Sequence, residues 1–127
     1  MLNKVLIMGR LTADPKIKEV TRKGEEASRK VAEFSIANNK GKKESEVTTF
    51  LNCFAWDSLG ETLVKFKHKG DLILVIGEIR QRKYENKDGA KVTAYEVVAR
   101  EIEFDVGEAP KGKDNKPNKP VDEDTPY

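Results

Sequence analysis

The sequence is poor in the residues on which most enzymatic and metal sites depend. Its 127 residues include one cysteine and one histidine. A lone cysteine excludes an intrachain disulfide and a cysteine-based zinc cluster, and a lone histidine excludes a two-histidine metal pair. We interpret Cys53 as a small buried hydrophobic residue. We assign no catalytic role to His68, which lies among lysines in "KFKHKG".

Long hydrophobic runs are also absent. No stretch of 18 apolar residues occurs, which argues against a membrane-spanning helix. The short apolar run in "MLNKVLIMGR" is interrupted by a charge, and no small-residue cleavage site follows it. We therefore interpret it as a strand rather than a signal peptide, and we expect a cytoplasmic protein with no membrane association.

The chain as a whole has no large excess of positive or negative charge, but its two parts differ in their balance of charged residues. Residues 1–106 carry 20 Lys and Arg against 17 Asp and Glu, and residues 107–127 carry 4 against 5. The second part holds four of the five prolines and has no apolar periodicity, so we expect it to be disordered. We divide it into a flexible linker, 107–121, and an acidic tip, 122–127.

The first 106 residues show apolar runs of strand length between turn signals. We predict strands at residues 3–11, 16–21, 29–38 and 47–56, and a pair of long strands within 71–104. Asp88-Gly89 favours a tight hairpin turn between the last two. Gly9 could accommodate a bulge or bend, "TADP" with Pro15 starts a turn, and the polar stretch 39–46 is a loop or the end of a hairpin.

One short helix is predicted between the strand 47–56 and the long hairpin. Ser58 and Glu61 fit a capping box, and Leu59, Leu63 and Phe66 recur on one side. Gly70 supplies the stop signal. This order of elements predicts an all-β fold with one short helix: a five-stranded, antiparallel OB-fold barrel with a long projecting hairpin, followed by a disordered C-terminal tail.

The strand "VTTFLNCFAW" concentrates three of the chain's nine aromatic residues. Alternation places Leu51, Cys53 and Ala55 in the barrel interior. On the opposite face it places Phe50, Asn52, Phe54 and Trp56. Rings beside an amide suit a groove for single-stranded nucleic acid, because every base can stack on a ring. Phe54, in mid-strand, is the ring that we expect to be packed away.

The long hairpin carries a second pattern of this kind. Arg80, Arg82 and Tyr84 share one face, with Lys83 beside them and Lys87 and Lys91 around the turn. Basic groups interleaved with an aromatic ring suit an arm that follows a nucleic-acid backbone. A solvated hairpin end with ordinary surface charges is the open alternative.

Several segments in this order resemble the bacterial single-stranded-DNA-binding protein family. The segments are "MLNKVLIMGRLTADP", "VAEFSIA", "NCFAW", "FKHKGDLILVIGEIRQRKYENKDG" and "EVVA", and together they span nearly all of residues 1–104. The resemblance implies an OB-fold, sequence-tolerant binding of single-stranded DNA, and a homotetramer built partly through pairing of the first strand. The linker is short for the family, which suggests a phage or plasmid origin.

The resemblance also implies which residues contact DNA. The family's stacking aromatics correspond to Phe50, Trp56 and Tyr84. A further family aromatic has no counterpart in "NNKGKKESEVTT", where lysines are expected to contact phosphate instead. The full expected DNA-binding set is Arg10, Lys40, Lys42, Lys43, Phe50, Asn52, Trp56, Arg80, Arg82, Lys83, Tyr84 and Lys87. For Arg10, a place in a subunit interface is the open alternative.

The closing "DEDTPY" resembles the family's acidic tip, which docks on replication, recombination and repair enzymes. The expected partner-binding residues are Asp122, Glu123, Asp124, Thr125, Pro126 and Tyr127. Thr125 stands where the family usually has an apolar residue, and Tyr127 stands where it has phenylalanine. A second expected role is competition with DNA for the basic groove, and a merely solubilising acidic end is the alternative.

An OB-barrel is also compatible with two other classes of function. Nucleases built on an OB-barrel need clustered carboxylates to hold a divalent metal, whereas the acids here are dispersed apart from Glu101 and Glu103. We therefore expect neither catalysis nor a cofactor. The other class is a protein-interaction or primosomal adaptor module, in which the aromatic face contacts protein; quenching of Trp56 by oligonucleotide distinguishes it from a DNA-binding protein.

Overall fold

The computed structural model describes residues 1–21, 23–24 and 26–106. The predicted linker and acidic tip lie outside these ranges. The described part contains six strands and one α-helix: β1 (Val5–Leu11), β2 (Lys16–Val20), β3 (Arg29–Lys40), β4 (Val47–Trp56), α1 (Asp57–Phe66), β5 (Leu72–Glu85) and β6 (Lys91–Glu103). Within these ranges no helix combines the length and the apolar character needed to cross a membrane.

Five of the strands close into a ring in the order β1-β5-β6-β4-β3, and the pairing of β1 with β3 completes it. Strand β2 lies outside the ring and pairs only with β3. Both β1 and β2 run along β3, β1 at residues 36–37 and β2 at residues 29–33. The molecule is thus the predicted five-stranded OB-fold barrel with β2 added beside it. One pairing differs from the antiparallel prediction, because β4 and β6 are parallel over three residue pairs.

The barrel interior is filled by small and medium apolar side chains, as the alternation predicts. The fully buried side chains include Leu11, Ile36, Leu63, Ile73, Val75 and Val97. Their removal from water supplies the main stabilisation, about 1.5–3 kcal/mol for each large aliphatic side chain. Helix α1 contributes Leu63, which is fully buried in this core.

The helix differs from its prediction at both ends. It begins at Asp57, so Ser58 lies inside the first turn and makes no capping hydrogen bond; the predicted capping box with Glu61 is wrong. Phe66 ends the helix and is exposed rather than packed, because the chain turns back toward β5 there. Gly70 is not the stop signal: it adopts a φ of +91° in the following turn, where its N–H donates to the Leu11 carbonyl.

The structure also defines Gly9, the polar stretch 39–46 and the turn of the long hairpin more closely than their predictions. Gly9 lies in regular β1 opposite Ile73, and its missing side chain allows β3 to approach closely. The irregularity in pairing lies instead between β5 and β6 at Ile76 and Gly77. The polar stretch 39–46 is the end of the hairpin between β3 and β4: β3 continues to Lys40, which pairs with Val47. The hairpin turn is wider than two residues, because Asn86 and Ala90 close it by a backbone hydrogen bond.

Cys53 provides a direct test of the packed interior. Its thiol is buried, and loss of solvation raises its pKa to about 12 from 9.0. Because the thiolate is the reactive form, we expect a disulfide reagent at pH 8 to modify the native protein about 100-fold or more slowly than the denatured chain. Stopped-flow measurement of thiol release in buffer and in guanidinium checks this. Native and denatured rates within about tenfold of each other would contradict the placement of Cys53 in the core.

Candidate nucleic-acid interface

The predicted alternation of side chains along β4 is confirmed. Cys53 and Ala55 are buried in the core, and Leu51 packs against it. Phe50, Asn52, Phe54 and Trp56 point outward, and Phe50 is 67% exposed. A phenylalanine ring that keeps two thirds of its surface in water on a folded strand contributes little to the core. Phe50 is therefore available to stack against a ligand.

The outward side chains of β4 continue onto β3 through the strand register. Glu33 lies opposite Phe54, Ser35 opposite Asn52, and Ala37 opposite Phe50. A cleft of about 360 Å³ opens on this surface. It is lined by residues of β3, β4 and the hairpin that include Glu33, Ser35, Asn52, Phe54, Arg82 and Glu96. Phe54 lines the cleft and is half-buried, as is Trp56, so both are more packed than Phe50 and the structure does not single out Phe54.

Trp56, at the end of β4, is half-buried and has a charged neighbour over one ring face. The guanidinium carbon of Arg29 lies 4.7 Å from the indole centroid. Arg29 is held in turn by Asp57, with Nη2 2.5 Å from Oδ2 and Nε 3.4 Å from Oδ1. These hydrogen bonds lower the pKa of the Asp57 carboxyl, so the ion pair is intact at neutral pH.

The same arrangement recurs on the hairpin. Arg82 lies over the Tyr84 ring, 4.8 Å from its centroid, and donates from Nε to Glu96 Oε2 at 2.7 Å. Glu96 is 2% exposed, and its other carboxylate oxygen has no hydrogen-bond partner among the described groups. The hydrogen bond that Arg82 donates to Glu96 raises the pKa of Arg82. Arg82 therefore compensates a buried charge in addition to facing the cleft.

The remaining hairpin residues divide between its two faces as predicted. Arg80, Arg82 and Tyr84 lie opposite Glu96, Ala94 and Val92, on the face that carries the cleft. The opposite face carries Gln81, whose side-chain amide donates to the Tyr95 hydroxyl at 3.1 Å. Lys83, Lys87 and Lys91 are all exposed toward the end of the hairpin.

The loop lysines and Arg10 lie at the other end of the surface. Lys40, Lys42 and Lys43 are exposed where β3 meets the loop before β4, near Phe50. Arg10 pairs with Ala37 of β3, which in turn pairs with Phe50 of β4. Arg10 and Phe50 are therefore two strands apart, a distance of roughly 10 Å. Its guanidinium donates to the Gly70 carbonyl at 3.0 Å.

Of the predicted DNA-binding residues, Asn52 and Arg82 line the cleft; Phe50 and Trp56 lie on the outward face of β4, Tyr84 lies farther along the hairpin, and the other predicted cations lie outside the cleft. Three carboxylates, of Asp14, Glu33 and Glu96, line the cleft, against the cations Lys16 and Arg82. No cluster of three or more metal-ligating side chains occurs within the described ranges. The centre of the surface is thus suited to neutral, planar groups and its margins to anions.

Sequence reasoning missed Arg29, Asp57 and Glu96. Arg29 opens β3 and Asp57 opens α1, 28 residues later, so no local pattern joins them. Asp57 has a left-handed φ of +58°, which aspartate tolerates better than most residues, at the junction of strand and helix. One feature of the sequence could have identified Glu96. It is an acidic residue directly before the continuous buried run Val97–Ala99, where a buried charge requires a partner.

Comparison with known proteins agrees with this geometry. Residues 2–105 match the model of the single-strand binding protein family, which covers the whole barrel. The chain belongs to the single-strand binding protein family. Its relatives include single-stranded DNA-binding protein 1 of Lactococcus lactis subsp. lactis (strain IL1403), 38% identical over 105 residues, which are 78% of this chain and 65% of the relative.

Two further relatives of this single-strand binding family member are comparably similar. Single-stranded DNA-binding protein A of Bacillus subtilis (strain 168) is 34% identical over 110 residues, 82% of this chain and 59% of the relative. The single-stranded DNA-binding protein of Enterococcus faecalis (strain ATCC 700802 / V583) is 36% identical over 110 residues, 82% of this chain and 54% of the relative. The match thus spans between about half and two thirds of these relatives' lengths.

Proposed function

We propose that this chain binds single-stranded DNA without strong sequence preference and is a binding protein rather than an enzyme. The observation that carries the proposal is the outward placement of Phe50 and Trp56 on β4 of an OB-fold barrel, beside a cleft that Asn52 and Arg82 line; Tyr84 on the same hairpin face as Arg82 adds a further ring. Stacking on such rings contributes about 1–3 kcal/mol per base and accepts any base. The family of the chain and the names of its relatives support the same function.

The phosphates of the bound strand follow the margins of this surface rather than its centre. Carboxylates in the cleft would repel a backbone placed there. Exposed cations lie at both ends instead. The proposed phosphate contacts are Arg10, Lys40, Lys42 and Lys43 at one end and Arg80, Lys83 and Lys87 at the other, with Asn52 and Arg82 facing bases in between. The contribution of these ionic contacts to the affinity should decrease as the salt concentration rises, whereas the contribution of base stacking should persist.

Binding only the open form of DNA gives this protein its cellular role. A ligand that binds single strands and not duplexes shifts hairpins toward the open state. We propose that the protein coats and protects exposed strands in the cytoplasm during replication, recombination and repair. Residues 1–106 form the DNA-binding domain in this proposal. Residues 107–121 serve as a linker, and 122–127 recruit partner enzymes.

A homotetramer is the proposed assembly, formed partly through the first strand. Leu6 and Met8 point outward from β1 and are 64% and 41% exposed. Leu6 lies opposite Ile76 and Met8 opposite Leu74, so a row of apolar side chains crosses β1 and β5. Apolar surface of this kind is stabilised by burial against a second copy of the chain.

Fluorescence of Trp56, the only tryptophan, tests the proposed function. We expect titration with poly(dT) to quench the emission strongly at low salt, and a large part of the quenching to persist at high salt, because stacking does not depend on counterions. Absence of quenching at every salt concentration, with the protein still folded by circular dichroism, would contradict stacking on Trp56 and favour the adaptor function.

A further inference from the structure

The indole of Trp56 can offer a base only one of its faces. Arg29 covers the other, with its guanidinium carbon 4.7 Å from the ring centroid. The guanidinium is fixed at two points, since Nε and Nη2 both donate to the carboxylate of Asp57. A planar cation in such a two-point contact has little freedom to leave the ring.

We infer that Arg29 is a positioning residue for the binding of single-stranded DNA. Held by Asp57, Arg29 packs on one face of the Trp56 indole and keeps the other face of the indole oriented toward a base. This inference rests on the proposed function and adds to it a residue that contacts no phosphate. Arg82, held by Glu96 over Tyr84, shows the same three-part arrangement at a second ring. The rings of Trp56 and Tyr84, on different strands, therefore each have an arginine packed on one face.

Replacement of Asp57 tests the inference, because the two explanations predict opposite changes in the affinity for DNA. It places a negative charge beside a proposed DNA contact, where it would be expected to weaken binding by repulsion. If long-range charge dominates, Asp57→Asn strengthens binding. If Asp57 acts by holding Arg29, the same substitution weakens binding. Asparagine tolerates the left-handed conformation at this position, so the substitution keeps the backbone while removing the charge.

The experiment measures the affinity of the full chain for a labelled oligo(dT) by fluorescence anisotropy over a series of salt concentrations. We expect Arg29→Gln to weaken binding by about two- to fivefold, the size of an exposed cation–π contact. The slope of log affinity against log salt should stay unchanged, because a residue without a phosphate contact releases no counterion. Arg29→Lys should not restore binding, since lysine has the charge but not the planar fork.

A double-mutant cycle with Trp56→Leu isolates the contact. In that background, Arg29→Gln should have almost no further effect, because the ring that it backs is gone. Lys30→Gln is the matched control: it removes a positive charge one position along β3, where the side chain lies 4.0 Å from Glu61 of α1. The control should affect binding equally with and without the indole.

The free protein gives an independent readout. The emission maximum of Trp56 should shift in Arg29→Gln without DNA and should be unchanged in Lys30→Gln, because Arg29 lies over the ring whereas Lys30 is directed to Glu61. A salt slope reduced by about one unit in Arg29→Gln would identify a phosphate contact and overturn the inference. Tighter binding by Asp57→Asn, or equal effects of Arg29→Gln in both backgrounds, would also overturn it. Wild-type protein that binds no oligo(dT) would overturn the proposed function as well.

Discussion

Replacement of Gly77 by alanine is expected to destabilise the barrel by about 3 kcal/mol or more. A Cβ at this position would lie 2.9 Å from the carbonyl carbon of Val98 and 3.0 Å from Cα of Ala99, and closer still to the Val98 carbonyl oxygen. All three are backbone atoms of β6, so no side-chain rotation relieves the contact. The strands would have to separate at the point where their register shifts.

Chemical denaturation measures this effect through the free energy of unfolding, and thermal unfolding should show a midpoint lower by about 12 °C or more. The matched control is Gly89→Ala at the hairpin turn. A Cβ there meets no atom within 4 Å, and only the positive φ of 81° opposes alanine. That strain costs about 1–2 kcal/mol. Gly77→Ala no more destabilising than Gly89→Ala would show that β5 and β6 are not packed this closely.

Replacement of Phe50 by alanine is expected to lower the affinity for single-stranded DNA by roughly 5- to 150-fold, the equivalent of one stacked base. The ring is 67% exposed, so its removal should leave the barrel stable. The loss should persist at high salt, because stacking rather than counterion release is removed. Anisotropy titration of a labelled oligo(dT) at two salt concentrations measures both properties.

Phe66→Ala provides the control for Phe50→Ala. Phe66 is the same residue type at similar exposure, 60%, but it lies at the end of α1. Its removal should leave the affinity within about twofold of the wild type, since no predicted DNA contact adjoins it. Equal losses in the two variants would mean that exposed aromatic surface in general, and not the β4 surface, determines binding.

The elements that the sequence predicted well are those with a strong local signal. The period of two along "VTTFLNCFAW" placed Leu51, Cys53 and Ala55 correctly inside and the rings outside, because a strand has only two faces. The hairpin was equally clear, since two long β-rich runs flank Asp88-Gly89. The closed barrel followed from the order of these elements along the chain and from the family resemblance, whereas the order of the strands around the barrel comes from the structure.

The features that were missed or wrong depend on tertiary contacts. Ser58 and Glu61 carry a helix-start pattern, but β4 runs directly into α1, so the helix begins at Asp57 with Trp56 rather than Ser58 as its N-cap. Phe66 has the right spacing for the core, yet the chain leaves the helix there. The pairs Arg29–Asp57 and Arg82–Glu96 join different elements, and nothing in the local sequence specifies which arginine meets which carboxylate.

The order of the strands around the barrel also determines how early during its synthesis this protein can fold. Strand β1 pairs along its length with β5, and the side chain of Asn3 bonds the backbone of Ile79, 76 residues away. Contacts this distant in sequence make folding slow, in the range of milliseconds to seconds. At a ribosomal rate of about 5–20 residues per second, β1 also waits several seconds for its partner to be synthesised. During that time the apolar side chains of the first strand, Leu6 and Ile7 among them, lack their β5 partners on the nascent chain.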